Sequence, residues 1–235
     1  MQPPHPRAAD EWLRRVEAEY TSAAVTQHLV LWLLQLGASP DLVRDGLRIV
    51  DDELSHAELS QAVAQAAGSQ ARPALVQERL GLTRVPTRPL HEDVARCAVD
   101  VFCLGETVAV PLFSAMRGPC TVPAAREALE RIVRDEVRHR DFGWSLLDWL
   151  LQTYGEPMRA FVVSQLPTMI DRVRRNYGQA DVPARVGEPV VEDEAWGLLP
   201  SPRYAEILAR CIERDYRPRF ARVGIDLDAA LAERP

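Results

Sequence analysis

The chain has 235 residues, 47% of them apolar and 26% charged, with a formal net charge of −6 and a pI near 5.5. That length buries a sizeable core without disulfide or metal staples, so a bound metal ion would serve chemistry and not folding. The acidic balance excludes nucleic acid and an anionic membrane as expected partners, because phosphate binding needs clustered positive charge and the densest basic group is only Arg172, Arg174 and Arg175.

Apolar residues recur at intervals of three and four from the start. Over residues 8–36, Trp12, Val16, Ala23, Val30, Leu33 and Leu34 follow helical spacing, and Gly37 is a stop signal. Ser39 before Pro40 reads as an N-cap with proline in the first turn, opening a second helix to about residue 68 that carries Leu42, Val43, Ile49, Val50 and Val63. The link is so short that the two helices must lie antiparallel. Over 69–90 the periodicity fades and Pro73, Pro86 and Pro89 appear, which predicts a long connection with one helical turn around 74–80.

A third helix is expected over 91–116, with Val94, Ala98, Val101, Phe102, Val110 and Phe113 inward and Arg117, Gly118 and Pro119 closing it. Thr121 is the expected N-cap of a fourth helix running to about Tyr154, ahead of Gly155. Beyond it the pattern predicts a fifth helix over 157–177, an irregular acidic stretch with prolines to Pro202, and a sixth helix over 204–223. The expected fold is all-α: one domain over 1–235, with a four-helix core of two antiparallel hairpins and a long crossover at about 8–154 and a helical extension over 155–235.

Cys97, Cys103, Cys120 and Cys211 form no CxxC pair, which excludes a disulfide framework and a cysteine-bound iron module. Free thiols fit a reducing compartment, residues 1–10 hold no apolar run, and no stretch has about 18 uninterrupted apolar residues. A cytoplasmic location without a membrane span is therefore expected.

The chemistry is carried by a motif that occurs twice. Helix two contains Asp52-Glu53-Leu54-Ser55-His56 and helix four Asp135-Glu136-Val137-Arg138-His139, each a Glu-x-x-His whose positions i and i+3 share a helix face. Each hairpin adds one glutamate on its first helix, Glu19 lying 34 residues before Glu53 and Glu106 lying 30 before Glu136. One such motif has little weight, since about one chance match is expected in a chain so rich in acids. Two in phase, each on the stripe that faces the core, carry much more. Ile49, Glu53, His56 and Val63 share one stripe; Leu129, Val133, Glu136, His139 and Leu146 share another; Phe102, Glu106, Val110 and Phe113 a third.

Carboxylates on a buried stripe are costly to desolvate unless paired, protonated or bound to metal. Four carboxylates and two imidazoles offer oxygen and nitrogen donors to two divalent first-row ions, for which iron or manganese is best suited. Asp52 and Asp135 are placed to hydrogen-bond ligating imidazoles from a neighbouring helix, with Arg138 completing that outer layer. Glu17 competes with Glu19 but falls on the side of Leu13, Tyr20 and Ala24. His5, His28 and His91 have no partner at ligand spacing and read as surface or cap residues. Cys97 and Cys103 read as small buried hydrophobes.

Glu-Tyr-Thr-Ser (19–22), Leu-Gly-Ala-Ser-Pro (36–40), Asp-Asp-Glu-Leu-Ser-His-Ala (51–57), Gly-Glu-Thr (105–107) and Arg-Asp-Glu-Val-Arg-His (134–139) resemble the ferritin-like carboxylate proteins over roughly residues 12–150. That family includes bacterioferritins, rubrerythrins, manganese catalases and di-iron oxygenases. The resemblance implies a ferritin-like bundle with Glu19 and Glu106 as terminal ligands, Glu53 and Glu136 as bridging and catalytic ligands, and His56 and His139 as the nitrogen ligands. It further implies two Fe ions, or Mn or a mixed Mn/Fe pair. The implied activity is that of a non-haem di-iron oxidase or oxygenase, which takes dioxygen and an electron donor to oxidise a small organic or peptide substrate. Ser22, Ala23, Cys103 and Thr107 are small enough to leave that substrate room. Such an enzyme is expected as a monomer or homodimer. The rivals are a ferroxidase that stores iron in a large shell and a di-metal protein that disposes of peroxide.

Overall fold

Three features of the sequence set the ends of the first two helices. Pro6 lies in the first turn of α1 (Pro6–Gln35), where a missing N–H costs nothing, and the His5 ring accepts from Ala8 N at 3.2 Å. Ser39 caps α2 (Pro40–Ala66) by accepting from Leu42 N at 3.4 Å. The computed structural model describes residues 4–177 and 191–232, and all regular structure among them is helical. After a short 3-10 turn (Gln77–Arg79) come α3 (Leu90–Cys97), a π-helical segment (Ala98–Glu106) and α4 (Thr107–Arg117). Then follow α5 (Pro123–Tyr177), α6 (Val191–Ala195), α7 (Ser201–Cys211), a π-helical turn (Ile212–Tyr216), α8 (Arg217–Arg222) and α9 (Leu227–Ala232).

These elements form two units, the first from residues 4–83, 113–135 and 191–199 and the second from 84–112, 136–177 and 200–232. In the first, α1 and α2 are an antiparallel hairpin: beside the start of α1, His5 N donates to Ala67 O at the end of α2, at 2.9 Å. Trp12, Leu29 and Leu33 of α1 and Ile49 and Val63 of α2 are buried. The long connection expected after α2 runs along α1. Ala74 N donates to Glu17 Oε1 at 2.8 Å, and Leu82 N donates to His28 Nδ1 at 2.9 Å. The single expected turn in it is the 3-10 segment at Gln77–Arg79. At the start of α5, Arg126 N bonds to Val122 O at 2.9 Å, so Val122 and not Thr121 stands at the N-cap. Thr121 N and Val122 N both donate to Ala195 O, at 3.0 Å each, which ties this end to α6.

In the second unit the α3–π–α4 run lies antiparallel to α5. His91 stacks on Tyr154 with centroids 4.1 Å apart, and Phe102 meets Phe142 edge-on at 5.1 Å. Gly143 lets the two backbones come close: a Cβ there would stand 2.4 Å from Phe102 Cβ and 2.8 Å from its carbonyl carbon. The fourth and fifth expected helices are one element broken at Gly155, whose φ of 64° and ψ of −145° no helix contains. The sixth is longer than its apolar pattern, running from Ser201 to Arg222 through a π-helical turn. Its Tyr216 hydroxyl donates to Leu104 O at 2.7 Å, inside the π-helical segment, and Phe220 meets Trp144 edge-on at 4.9 Å. The helical extension thereby buttresses the segment that carries Glu106. Of the irregular acidic stretch, residues 178–190 lie outside the described residues.

The run Leu90–Arg117 is long and apolar enough to cross a membrane by length and composition. More than half of its most apolar window is buried within the protein, and it carries the buried acids Asp93 and Glu106.

Candidate metal centre

Glu19 of α1 and Glu53 and His56 of α2 meet inside the first unit. Helical phase puts them there: Glu19 shares its stripe with Trp12, Val16 and Ala23, and Glu53 and His56 share theirs with Ile49 and Val63, all of them buried. Glu19 is 7% exposed, Glu53 1% and His56 0%. Each offers one donor atom, and the three atoms lie within 4.8 Å of one another. His56 Nδ1 stands 3.6 Å from Glu53 Oε2 and 4.0 Å from Glu19 Oε2.

The imidazole is held from behind. His56 Nε2 donates to Asp135 Oδ2 at 3.3 Å, and Asp135 is itself buried. A ring that donates through Nε2 presents the Nδ1 lone pair to the two glutamates. A lone pair and two carboxylates facing each other in a buried space need a cation among them, either a proton on the ring or a metal ion. Donors that share a first-row ion at about 2.1 Å stand roughly 3 to 4.2 Å apart, which the two histidine distances match. The residues therefore fit an ion bound by one nitrogen and two carboxylates.

Arg131 organises this outer layer and is the residue that sequence reasoning missed. It pairs with Asp135 through Nε and reaches Asp52 Oδ1 from Nη2 at 3.5 Å, joining the two aspartates that precede the Glu-x-x-His motifs. Its signal was present, because Arg131 stands one turn before Asp135 on the same face of α5. Ser22, expected only to leave space, donates from its hydroxyl to Glu53 Oε1 at 2.7 Å. That bond leaves Oε2 as the glutamate oxygen directed at His56.

The second unit holds the other expected ligands, Glu106, Glu136 and His139, at 9%, 2% and 0% exposure. His139 Nδ1 lies 3.6 Å from Glu136 Oε2, the same separation as in the first motif. Glu106 closes the π-helical segment, and such insertions are frequent at functional sites. Thr107, also expected to leave room, accepts from Trp144 Nε1 at 3.0 Å. Arg138, expected in the outer layer, is exposed.

Among known proteins the chain matches no family model and no curated sequence.

The residues set aside at sequence level have other tasks. Glu17 and His28 hold the connection after α2, His5 caps α1, and His91 stacks on Tyr154. Tyr20, beside Glu19 in sequence, is 41% exposed on the other side of α1. All four cysteines are buried free thiols. Burial, helped by the negative charge of Asp100, pushes Cys97 to about 12, and burial with Asp215 does the same for Cys211. Burial also raises Cys103 and Cys120. None of them is an available thiolate at neutral pH.

Proposed function

We propose that this protein is a ferritin-like di-metal oxidase or oxygenase, in which two iron ions, or manganese in one or both positions, activate dioxygen to oxidise a small organic or peptide substrate. The observation that carries the proposal is the Glu19, Glu53 and His56 cluster with its imidazole held by Asp135. The second Glu-x-x-His supports it by repeating the same 3.6 Å geometry. Assigning Glu106, Glu136 and His139 to the same pair of ions rests on the sequence pattern and on the resemblance to the ferritin-like carboxylate proteins.

The ions would supply redox chemistry that no side chain of the chain offers. The protein's share is positional. Asp135 fixes which imidazole nitrogen of His56 faces Glu19 and Glu53, Arg131 holds Asp135 and Asp52, and Ser22 occupies one oxygen of Glu53. Burial keeps bulk water from the donors and strengthens each of these interactions. As an enzyme of this kind the protein would need an electron donor and would work as a monomer or homodimer in the cytosol.

Oxygen uptake by the ferrous protein, followed alongside product from a panel of candidate substrates, tests the proposal. Uptake that continues in step with product supports it. Uptake that stops once the iron is oxidised, together with assembly into a large shell, would instead indicate iron storage. Release of oxygen from peroxide by the manganese-loaded protein would indicate peroxide disposal.

A further inference from the structure

Arg15 lies one helical turn before Glu19 on α1 and is 7% exposed. Its guanidinium sits over the Trp12 ring, 4.2 Å from the centroid, with the half-buried Phe113 ring 5.8 Å away. One nitrogen, Nη2, donates to Gly197 O at 3.0 Å and touches Met116 Sδ at 3.1 Å. The other terminal nitrogen, Nη1, is buried without a hydrogen-bond partner among the described residues. No carboxylate of the described residues forms an ion pair with Arg15, although the chain holds 34 acidic residues to 28 basic ones. Arg84, Arg131, Arg172 and Arg217 each meet a carboxylate.

A guanidinium taken out of water needs a counter-charge or a full set of acceptors. One carbonyl and one aromatic face fall short of that. We propose that Arg15 is the receptor for the carboxylate of a small organic acid, which binds at Nη1 with its hydrocarbon part against Trp12, Phe113 and Met116. The chemistry favours a carboxylate over a phosphate ester. A single guanidinium balances one negative charge, whereas a dianion requires further donors. The wall of two aromatic rings and a thioether suits an apolar chain or ring. Position i+4 along α1 sets Arg15 about 6 Å along the helix axis from Glu19. The bound acid would then extend beside the ligands, and this last step alone rests on the function proposed above.

The test uses the full chain after chelator treatment, so that no ion can capture the probe. Calorimetric titration with hexanoate and phenylacetate is expected to show saturable binding of one acid per chain. The matching amides should bind at least tenfold more weakly. Arg15→Met should abolish binding, and Arg15→Lys should retain it in weakened form. Excess acid should raise the melting temperature of the wild type and the lysine variant but leave the methionine variant unmoved. Lack of saturation by either acid would overturn the proposal, as would equal binding of the amides, tighter binding of inorganic phosphate, or binding retained by Arg15→Met. A protein that binds these acids through Arg15 yet takes up no iron or manganese would sink the function proposed above and leave the carboxylate site standing.

Discussion

His56 Nε2 donates to Asp135 Oδ2 at 3.3 Å, and through this bond a residue of α5 decides which nitrogen of an α2 imidazole faces Glu19 and Glu53. Asp135→Asn preserves the shape but removes the charge that steadies the ring. Loss of such a partner typically costs 10- to 100-fold in metal affinity, as about that range is found for residues behind metal-bound histidines. Manganese titration of the variant should therefore show at least a tenfold weaker first-unit site. Unchanged affinity would mean that the imidazole is positioned by packing alone.

Glu53 is 1% exposed and stands among other acceptors, so it is costly to the metal-free protein. Glu53→Gln should raise the melting temperature of the metal-free form and cancel the rise expected of the wild type with iron or manganese. At a hundredfold excess over the dissociation constant, that rise corresponds to about 2.7 kcal/mol. A variant that is less stable without metal and equally stabilised with it would contradict this role.

Tyr216 is fully buried, and its hydroxyl donates to Leu104 O at 2.7 Å, two residues before Glu106. Tyr216→Phe removes one of two donors to the Leu104 carbonyl, which keeps its bond from Thr107 N, and the loss costs about 0.5 to 1.5 kcal/mol. Urea denaturation measures that loss. The same variant should hold less metal, whereas a tyrosine of purely structural importance would leave metal content intact in the folded fraction.

At Gly143 a methyl group has nowhere to go, with Phe102 Cβ at 2.4 Å and backbone at 2.8 Å from the added Cβ. Gly143→Ala must push the π-helical segment away from α5, and overpacking of this kind costs about 1 to 3 kcal/mol. A melting temperature within a degree or two of wild type would show that the two helices have room to separate.

Much of this was legible in the sequence because helices bury one stripe, and a charged residue on that stripe is conspicuous. Glu19 over Glu17, and the phase of both Glu-x-x-His motifs, followed from periodicity, and all six expected ligands are buried. The π-helical segment was not legible, because its side chains still read as apolar at intervals of three and four. Its sign is the close approach of Phe102 to Gly143, which only the packed helices reveal. Arg131 escaped because an arginine one turn from an aspartate is ordinarily a solvated surface pair. Ser22 and Thr107 were read by size, yet their hydroxyls are engaged by Glu53 and Trp144. The sequence signals a helix end at Gly155, but a kinked continuation shares that signal.

The buried thiols predict how stability falls in alkali. Cys97 and Cys211 rise from an ordinary 9.0 to about 12 on folding, chiefly through loss of water. A raised folded value means that the stabilisation is complete below pH 9 and is lost as the pH climbs toward 12. Each thiol steepens the decline by about 1.4 kcal/mol per pH unit within that window. Denaturation midpoints measured from pH 8 to 11 should fall less steeply in Cys97→Ala and Cys211→Ala, and equal slopes would show that other groups govern the alkaline limit.

The most direct measurement is the metal content of the chain after anaerobic loading with ferrous iron and removal of excess metal, for the wild type, Glu53→Ala and Glu136→Ala. Two ions per wild-type chain are expected, falling to one or none in each variant. Iron that washes out of the wild type, or binds the variants equally well, would contradict the di-metal function proposed above.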